Sequence, residues 1–175
     1  RIRQEQAQTK EPPVGAPKTA PDAAPGKVPQ QGTVPAPAVA PALNRQAAVA
    51  AGPRVRIETP SLTGSIPLKG GRIDDLVLAK YRETVDPASA NVVLFSPSGA
   101  PHPYYAEYGW LAGPGVTQPM PNQDTLWRQE KDAPLTPTSP VTLVWDNGQG
   151  LVFRRTISVD TDYLFTVAEE VENKT

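Results

Sequence analysis

A chain of 175 residues could build one ordinary domain, but its composition divides it: all eleven aromatic side chains lie between Tyr81 and Phe165, and ten of the 22 prolines lie in the first 53 positions. The formal net charge of -1 covers a mildly basic first part, six Lys/Arg against three Asp/Glu over residues 1–53, and a mildly acidic remainder, eleven against fifteen; basic charge so scattered lacks the clustered footprint of a nucleic-acid-binding segment. The absence of cysteine removes disulfides, thiolate metal sites and cysteine nucleophiles together, and no run approaches the roughly 18 apolar residues of a membrane-spanning helix.

Residues 1–53 read as a disordered Pro/Ala-rich linker. Prolines at positions 12, 13, 17, 21, 25, 29, 35, 37 and 41 remove backbone donors and fix φ, so neither helix nor sheet propagates, and no aromatic side chain is present to offset the entropy of ordering. The expected role is a spacer. Residues 43–51 (LNRQAAVAA) have the composition of a short, marginal helix.

From Arg54 the period changes. Val55 and Ile57 alternate with Arg54, Arg56 and Glu58, and Leu62, Gly64 and Ile66 continue the pattern after Thr59-Pro60, predicting two short strands. Gly70-Gly71 marks a turn. A third strand runs through Ile73, Leu76, Val77, Leu78 and Tyr81, with Asp74-Asp75 at a bulge or bend. The apolar run Val92, Val93, Leu94, Phe95 predicts a buried strand. The proline- and glycine-rich stretch that follows reads as long loops carrying a strand over residues 104–111 and another over 125–131. VTLVW (141–145) and LVFRRTISV (151–159) flank DNGQG, a hairpin signal in which Arg155 interrupts the apolar face of the second strand. A last strand over residues 163–172 puts Tyr163, Phe165 and Val167 on a common face. With no amphipathic helix of any length, the expected fold class is all-β, a sandwich.

Candidate chemistry is sparse. His102, the only histidine, lies between two prolines in a loop, too isolated for a triad or a two-histidine metal site. Asp74-Asp75 and Glu169-Glu170 are adjacent pairs whose members point to opposite faces of a strand; Asp160 and Asp162 share a side, at a turn. Gly70-Gly71 lacks the helix and Gly-Lys-Ser/Thr ending of a phosphate loop. The group Tyr104, Tyr105, Tyr108, Trp110, Trp127 and Trp145 stands out, because such side chains either fill a β core or line a cleft. A strand would send Tyr104, Tyr108 and Trp110 one way and Tyr105 the other. Tyr104, Tyr108, Trp110 and Trp127 are the candidate cleft or partner surface; no catalytic, metal or cofactor-binding residue is assigned.

The ordered series VRIET (55–59), LTGSIPL (62–68), GGRI (70–73), LVLAKY (76–81), VLF (93–95), YYAEYG (104–109), TLW (125–127), PVTLVWDNGQG (140–150), DYLF (162–165) and VEN (171–173) resembles the large periplasmic domain of YidC-type membrane protein insertases over residues 54–175. The resemblance implies a β-supersandwich of galactose mutarotase-like topology, of which this chain is the first part. It further implies a place on the periplasmic side of the bacterial inner membrane, an N-terminal membrane helix ahead of Arg1, Sec translocon components and nascent membrane proteins as partners of the parent protein, and no catalysis in this part. Insertase residues of that family lie in transmembrane segments, so none is carried over. The alternatives are a carbohydrate-binding or mutarotase-like sugar-modifying sandwich and a self-standing secreted module.

Overall fold

The structure, a computed structural model, describes residues 44–175; the expected linker up to residue 43 lies outside the described residues. Among the described residues a single helical element, α1 (Arg45–Ala50), falls where the alanine-rich stretch predicts it. The Asn44 side chain caps it, accepting a hydrogen bond from Ala47 N at 2.8 Å.

The remainder is all-β. Strands β1 (Arg54–Glu58), β2 (Leu62–Pro67), β3 (Asp75–Arg82) and β4 (Asn91–Phe95) form one antiparallel sheet in sequence order. Strands β5 (Arg128–Gln129), β6 (Val141–Asp146), β7 (Leu151–Val159) and β8 (Phe165–Asn173) form a second in the same manner. Each sheet contributes alternate apolar residues to one core: Val55, Ile57, Leu62, Ile66 and Leu76 from the first, Val141, Leu143, Phe153, Ile157 and Val159 from the second. Period-two patterning sends these side chains to one face and leaves their polar neighbours outside.

Irregular backbone stitches the two sheets together. Leu135 donates its N–H to Arg56 O at 2.8 Å and accepts from Glu58 N at 2.9 Å, so it lies along the outer edge of β1 and covers it. On the other side of the core, Trp127 N donates to Leu68 O and Gly70 N donates to Thr125 O, both at 2.8 Å. Because each bridge joins residues more than 50 positions apart, the loops between the sheets act as structural members of the fold.

Three local expectations need correction. Residues 104–111 form no strand: Tyr104 pairs with Ser96 in both directions, Ala106 with Ile73, so the segment spends its hydrogen bonds on two separate partners and the predicted alternation of Tyr104, Tyr108 and Trp110 does not apply. Over 125–131 only Arg128–Gln129 is strand. The Val92 to Phe95 run is not a buried strand. As β4 it forms the edge of its sheet, with Val93 and Leu94 about two-fifths exposed. The DNGQG hairpin is present, built as a four-residue loop in which Asp146 Oδ1 and Asn147 Oδ1 accept from Gly148 N and Gln149 N, each at 2.8 Å.

One glycine in the first sheet is set by close approach. Gly64 lies between Ile57 of β1 and Leu76 of β3, and a Cβ there would stand 1.9 Å from the carbonyl oxygen of Asp75. That atom is backbone within a hydrogen-bonded ladder and cannot swing away. Gly64→Ala is therefore expected to lower unfolding stability by about 3 kcal/mol, the upper range of overpacking costs, read as a shift in denaturant midpoint; an unshifted midpoint would show that β2 and β3 can separate freely.

Candidate functional site

Arg155 sits on β7 directly opposite Leu143 of β6 and Glu169 of β8. The alternation of β7 turns Phe153, Arg155, Ile157 and Val159 to the same inward face, so the residue that interrupts the apolar pattern is delivered into the core and is 1% exposed. A guanidinium removed from water must find its acceptors in the protein. It finds three, in four hydrogen bonds: Glu169 Oε1 accepts from Nε at 2.9 Å and from one terminal nitrogen at 2.6 Å, the Gly71 carbonyl accepts at 3.0 Å and the Tyr108 carbonyl at 2.8 Å.

Three of the candidate aromatic residues gather around this cation. The guanidinium carbon lies 5.1 Å from the ring centre of Trp110, 5.2 Å from Trp127 and 5.9 Å from Tyr108, within reach of the rings' negative faces. Trp110 also packs at 5.7 Å on Trp127 and edge-on at 5.3 Å on Phe153. Gly71 makes the approach possible: at φ +61° it adopts a conformation open to glycine, and a side chain there would press at 3.1 Å on the Trp127 indole.

The four candidates thus divide. Trp127 is fully buried and Trp110 half-buried in the core, while Tyr108 stands at its rim, 39% exposed. Tyr104 is elsewhere, 67% exposed and edge-on to Phe95 at 5.5 Å. A cleft of about 340 Å³ opens beside Arg155, walled by Tyr108 and Trp127 with Glu107, Asn122 and Gln123 on its lip.

A second polar cluster lies at the base of the first sheet. Asp74 pairs with Arg54, and Asp75 with Arg45 of α1 and with Ser65 Oγ at 2.6 Å. Arg54 also donates to Ser65 Oγ at 2.7 Å. Both carboxylates are buried. Burial pushes the Asp74 carboxyl above its ordinary value of 3.8, outweighing the opposing pull of Arg54 and Arg72. Adjacent acids, read from sequence as bulge or bend residues pointing to opposite faces, are both ion-paired interior groups whose partners lie as far as 30 positions away.

The remaining sequence candidates have local explanations. Asp160 Oδ1 accepts from Asp162 N at 2.7 Å and Leu164 N at 2.9 Å, which closes the β7–β8 turn. His102 occupies an exposed loop at φ +53°. Among the described residues no group of three or more His, Cys, Asp or Glu side chains could hold a metal ion.

Two outcomes are expected. Glu169→Ala leaves the buried guanidinium without its counter-charge and should cost about 3 kcal/mol; adding Arg155→Met should restore part of the loss, so the double variant falls short of the sum in denaturant unfolding. For Asp74, a raised folded-state pKa means the folded protein holds the proton more tightly than the unfolded chain; that stabilisation is complete below the ordinary carboxylate value and is lost as pH rises through the raised one. The Tm of Asp74→Asn relative to the parent should therefore climb as pH rises from the ordinary carboxylate value through the raised one, and parallel curves would contradict this.

Residues 54–175 match the family model described as YidC periplasmic domain. Proteins named membrane protein insertase YidC are similar to the chain: that of Bradyrhizobium diazoefficiens at 60% identity over 133 residues, 76% of this chain and 22% of the relative, and that of Methylobacterium radiotolerans at 51% over 179 residues, 98% of this chain and 28% of the relative. The Methylorubrum extorquens relative is 50% identical across 95% of this chain. The chain spans about a quarter of the length of these curated relatives.

Proposed function

The chain belongs to the YidC periplasmic-domain family, and we propose that it serves as a non-catalytic scaffold and docking surface, on the periplasmic side of the bacterial inner membrane, for an insertase that inserts and folds membrane proteins. Of residues 1–53, those ahead of α1 act as its spacer, a role supported by their proline spacing, and residues 54–175, with α1 latched to their first sheet, act as the folded module. Partners in this reading are Sec translocon components and emerging membrane proteins.

The observation that carries the docking role is the state of the 104–111 segment. It holds Tyr104, Tyr105 and Tyr108 at 67%, 36% and 39% exposure, while its backbone is tied to Ser96, Ile73 and Arg155. Aromatic side chains on a fixed backbone offer large contact area with little ordering entropy left to lose, the usual make-up of a binding hot spot. The groups that could act on a substrate are committed elsewhere: Arg155 and Glu169 to each other, Asp74 and Asp75 to arginines, Asp160 to its turn.

Photocrosslinking tests this in the intact insertase. A benzophenone side chain at Tyr104 or Tyr108 should give discrete adducts with a translocon subunit or a nascent membrane protein, and one at Val85, fully exposed on the β3–β4 loop, should not. Adduct patterns that are the same at all three positions would remove the docking role. Heat on titration with hexoses would instead favour the sugar-binding alternative.

A further inference from the structure

A second cleft, of about 580 Å³, opens between α1 and the loops flanking β1 and β2. Arg54, Lys69 and Arg72 line it against Asp74 and Asp124, leaving one positive charge in excess. These cations differ in how far they are committed. Arg54 makes hydrogen bonds to Ser65 and Asp74, and Lys69 joins Asp124 in an exposed pair in which both side chains are about two-thirds accessible, a weak and easily exchanged contact.

Arg72 is different. Its side chain is 15% exposed, its guanidinium lies 4.8 Å over the Tyr105 ring, and its Nε stands 3.8 Å from Asp74 Oδ2, beyond hydrogen-bond length. That Nε is buried with no hydrogen-bond partner among the described residues. A guanidinium so placed is positioned by stacking and donates no hydrogen bond to any of the described residues, whereas the more deeply buried Arg155 has spent its donors on protein oxygens. The planar fork matches the oxygens of a phosphate two at a time. The cleft walls are mixed, with Ala48, Ala51, Pro53 and Leu126 beside the charges, which suits a phosphate carrying a short carbon skeleton better than a bare ion.

We propose that this cleft is a phosphate-binding site, in which Arg72, held flat on Tyr105, takes the oxyanion of a glycerol-phosphate group and Lys69 turns from Asp124 to assist. The same chemistry is presented by free glycerol phosphate and by a phospholipid headgroup. This site shares Tyr105 with the docking segment but neither Tyr104 nor Tyr108, the two positions at which docking is tested, so either reading can fail alone.

The test is titration of the full chain with sn-glycerol 3-phosphate, followed by calorimetry and by the Arg72 Nε–H resonance, with flotation on phosphatidylglycerol vesicles as a second arm. Saturable binding is expected, weakened at least about tenfold in Arg72→Ala, which removes the charge-assisted fork, and by less in Arg72→Lys and Tyr105→Leu. Arg56→Ala removes an equal charge from a side chain 74% exposed and outside the cleft, and should bind as the parent does. Vesicle retention that falls with Arg72→Ala assigns the headgroup as the source; retention indifferent to it, with glycerol phosphate still sensitive, assigns the free phosphate. Absence of saturable binding, or equal weakening in Arg56→Ala, overturns the proposal. Melting curves for each variant separate loss of the site from loss of the fold, and the two milder substitutions keep the test decisive if Arg72→Ala unfolds.

Discussion

The buried guanidinium of Arg155 is the constraint around which the second half of the molecule is arranged. Desolvating a cation costs several kcal/mol even after relaxation, so its acceptors must be in place together. One comes from the neighbouring strand β8 and two from loop carbonyls, Gly71 and Tyr108, that are 84 and 47 positions away in sequence. Meeting that requirement fixes the Gly70-Gly71 turn beneath the second sheet, brings the 104–111 segment across the core, and places Trp110 and Trp127 on the cation's faces. An apolar residue at 155 would satisfy the core as well by area alone; it would not specify where those loops go.

The first sheet solves a parallel problem with opposite charge. Asp74 and Asp75 enter the interior at the start of β3, and Arg54 of β1, Arg45 of α1 and Ser65 of β2 close around them. The consequence is that α1 is latched to the sheet by an ion pair and not by an apolar face, for it buries no residue of its own. A six-residue helix is too short to persist on propensity, so its formation depends on the cap at Asn44 and on Arg45 reaching Asp75. The two charge clusters stand on either side of the glycine pair, which therefore transmits geometry between them: Gly71 O receives Arg155 while the next residue, Arg72, faces the other cleft.

What was legible in the sequence follows from the range of the interactions responsible. Alternation is local, so β1, β2, β6, β7 and β8 could be read from their apolar residues, and Asn147-Gly148 announced its hairpin. The resemblance to YidC periplasmic domains, carried by the order of short segments, agrees with the family match over the same residues. Residues 104–111 misled because tyrosines and tryptophan at strand-like spacing imitate β propensity, while the partners that set their backbone, Ser96, Ile73 and Arg155, lie at three separate places in the chain. The edge position of β4 likewise depends on strand order, which an apolar run does not encode. By polarity alone Arg155 is an interruption of the apolar face of β7. The local signal was present in the register, since Arg155 keeps the parity of Phe153 and Ile157, and a charged residue in phase with a core face calls for a buried partner.

The division of the aromatic group follows from the same geometry and bears on what the surface can do. Trp127 and Trp110 pack on the cation and on each other, and Trp110 on Phe153 as well, so they stiffen the platform. Tyr108 has a double position: its carbonyl is an acceptor for Arg155, while its ring lies near the guanidinium and remains partly open to solvent. A partner that pressed on this ring would act on a residue already coupled to the core cation, and through it to Gly71 and β8. Tyr104, standing on Phe95 at the exposed edge strand, has no such coupling. Contacts at Tyr108 are therefore felt by the fold and contacts at Tyr104 only by the edge, a distinction that exposure alone would reverse, because Tyr104 is the more accessible of the two.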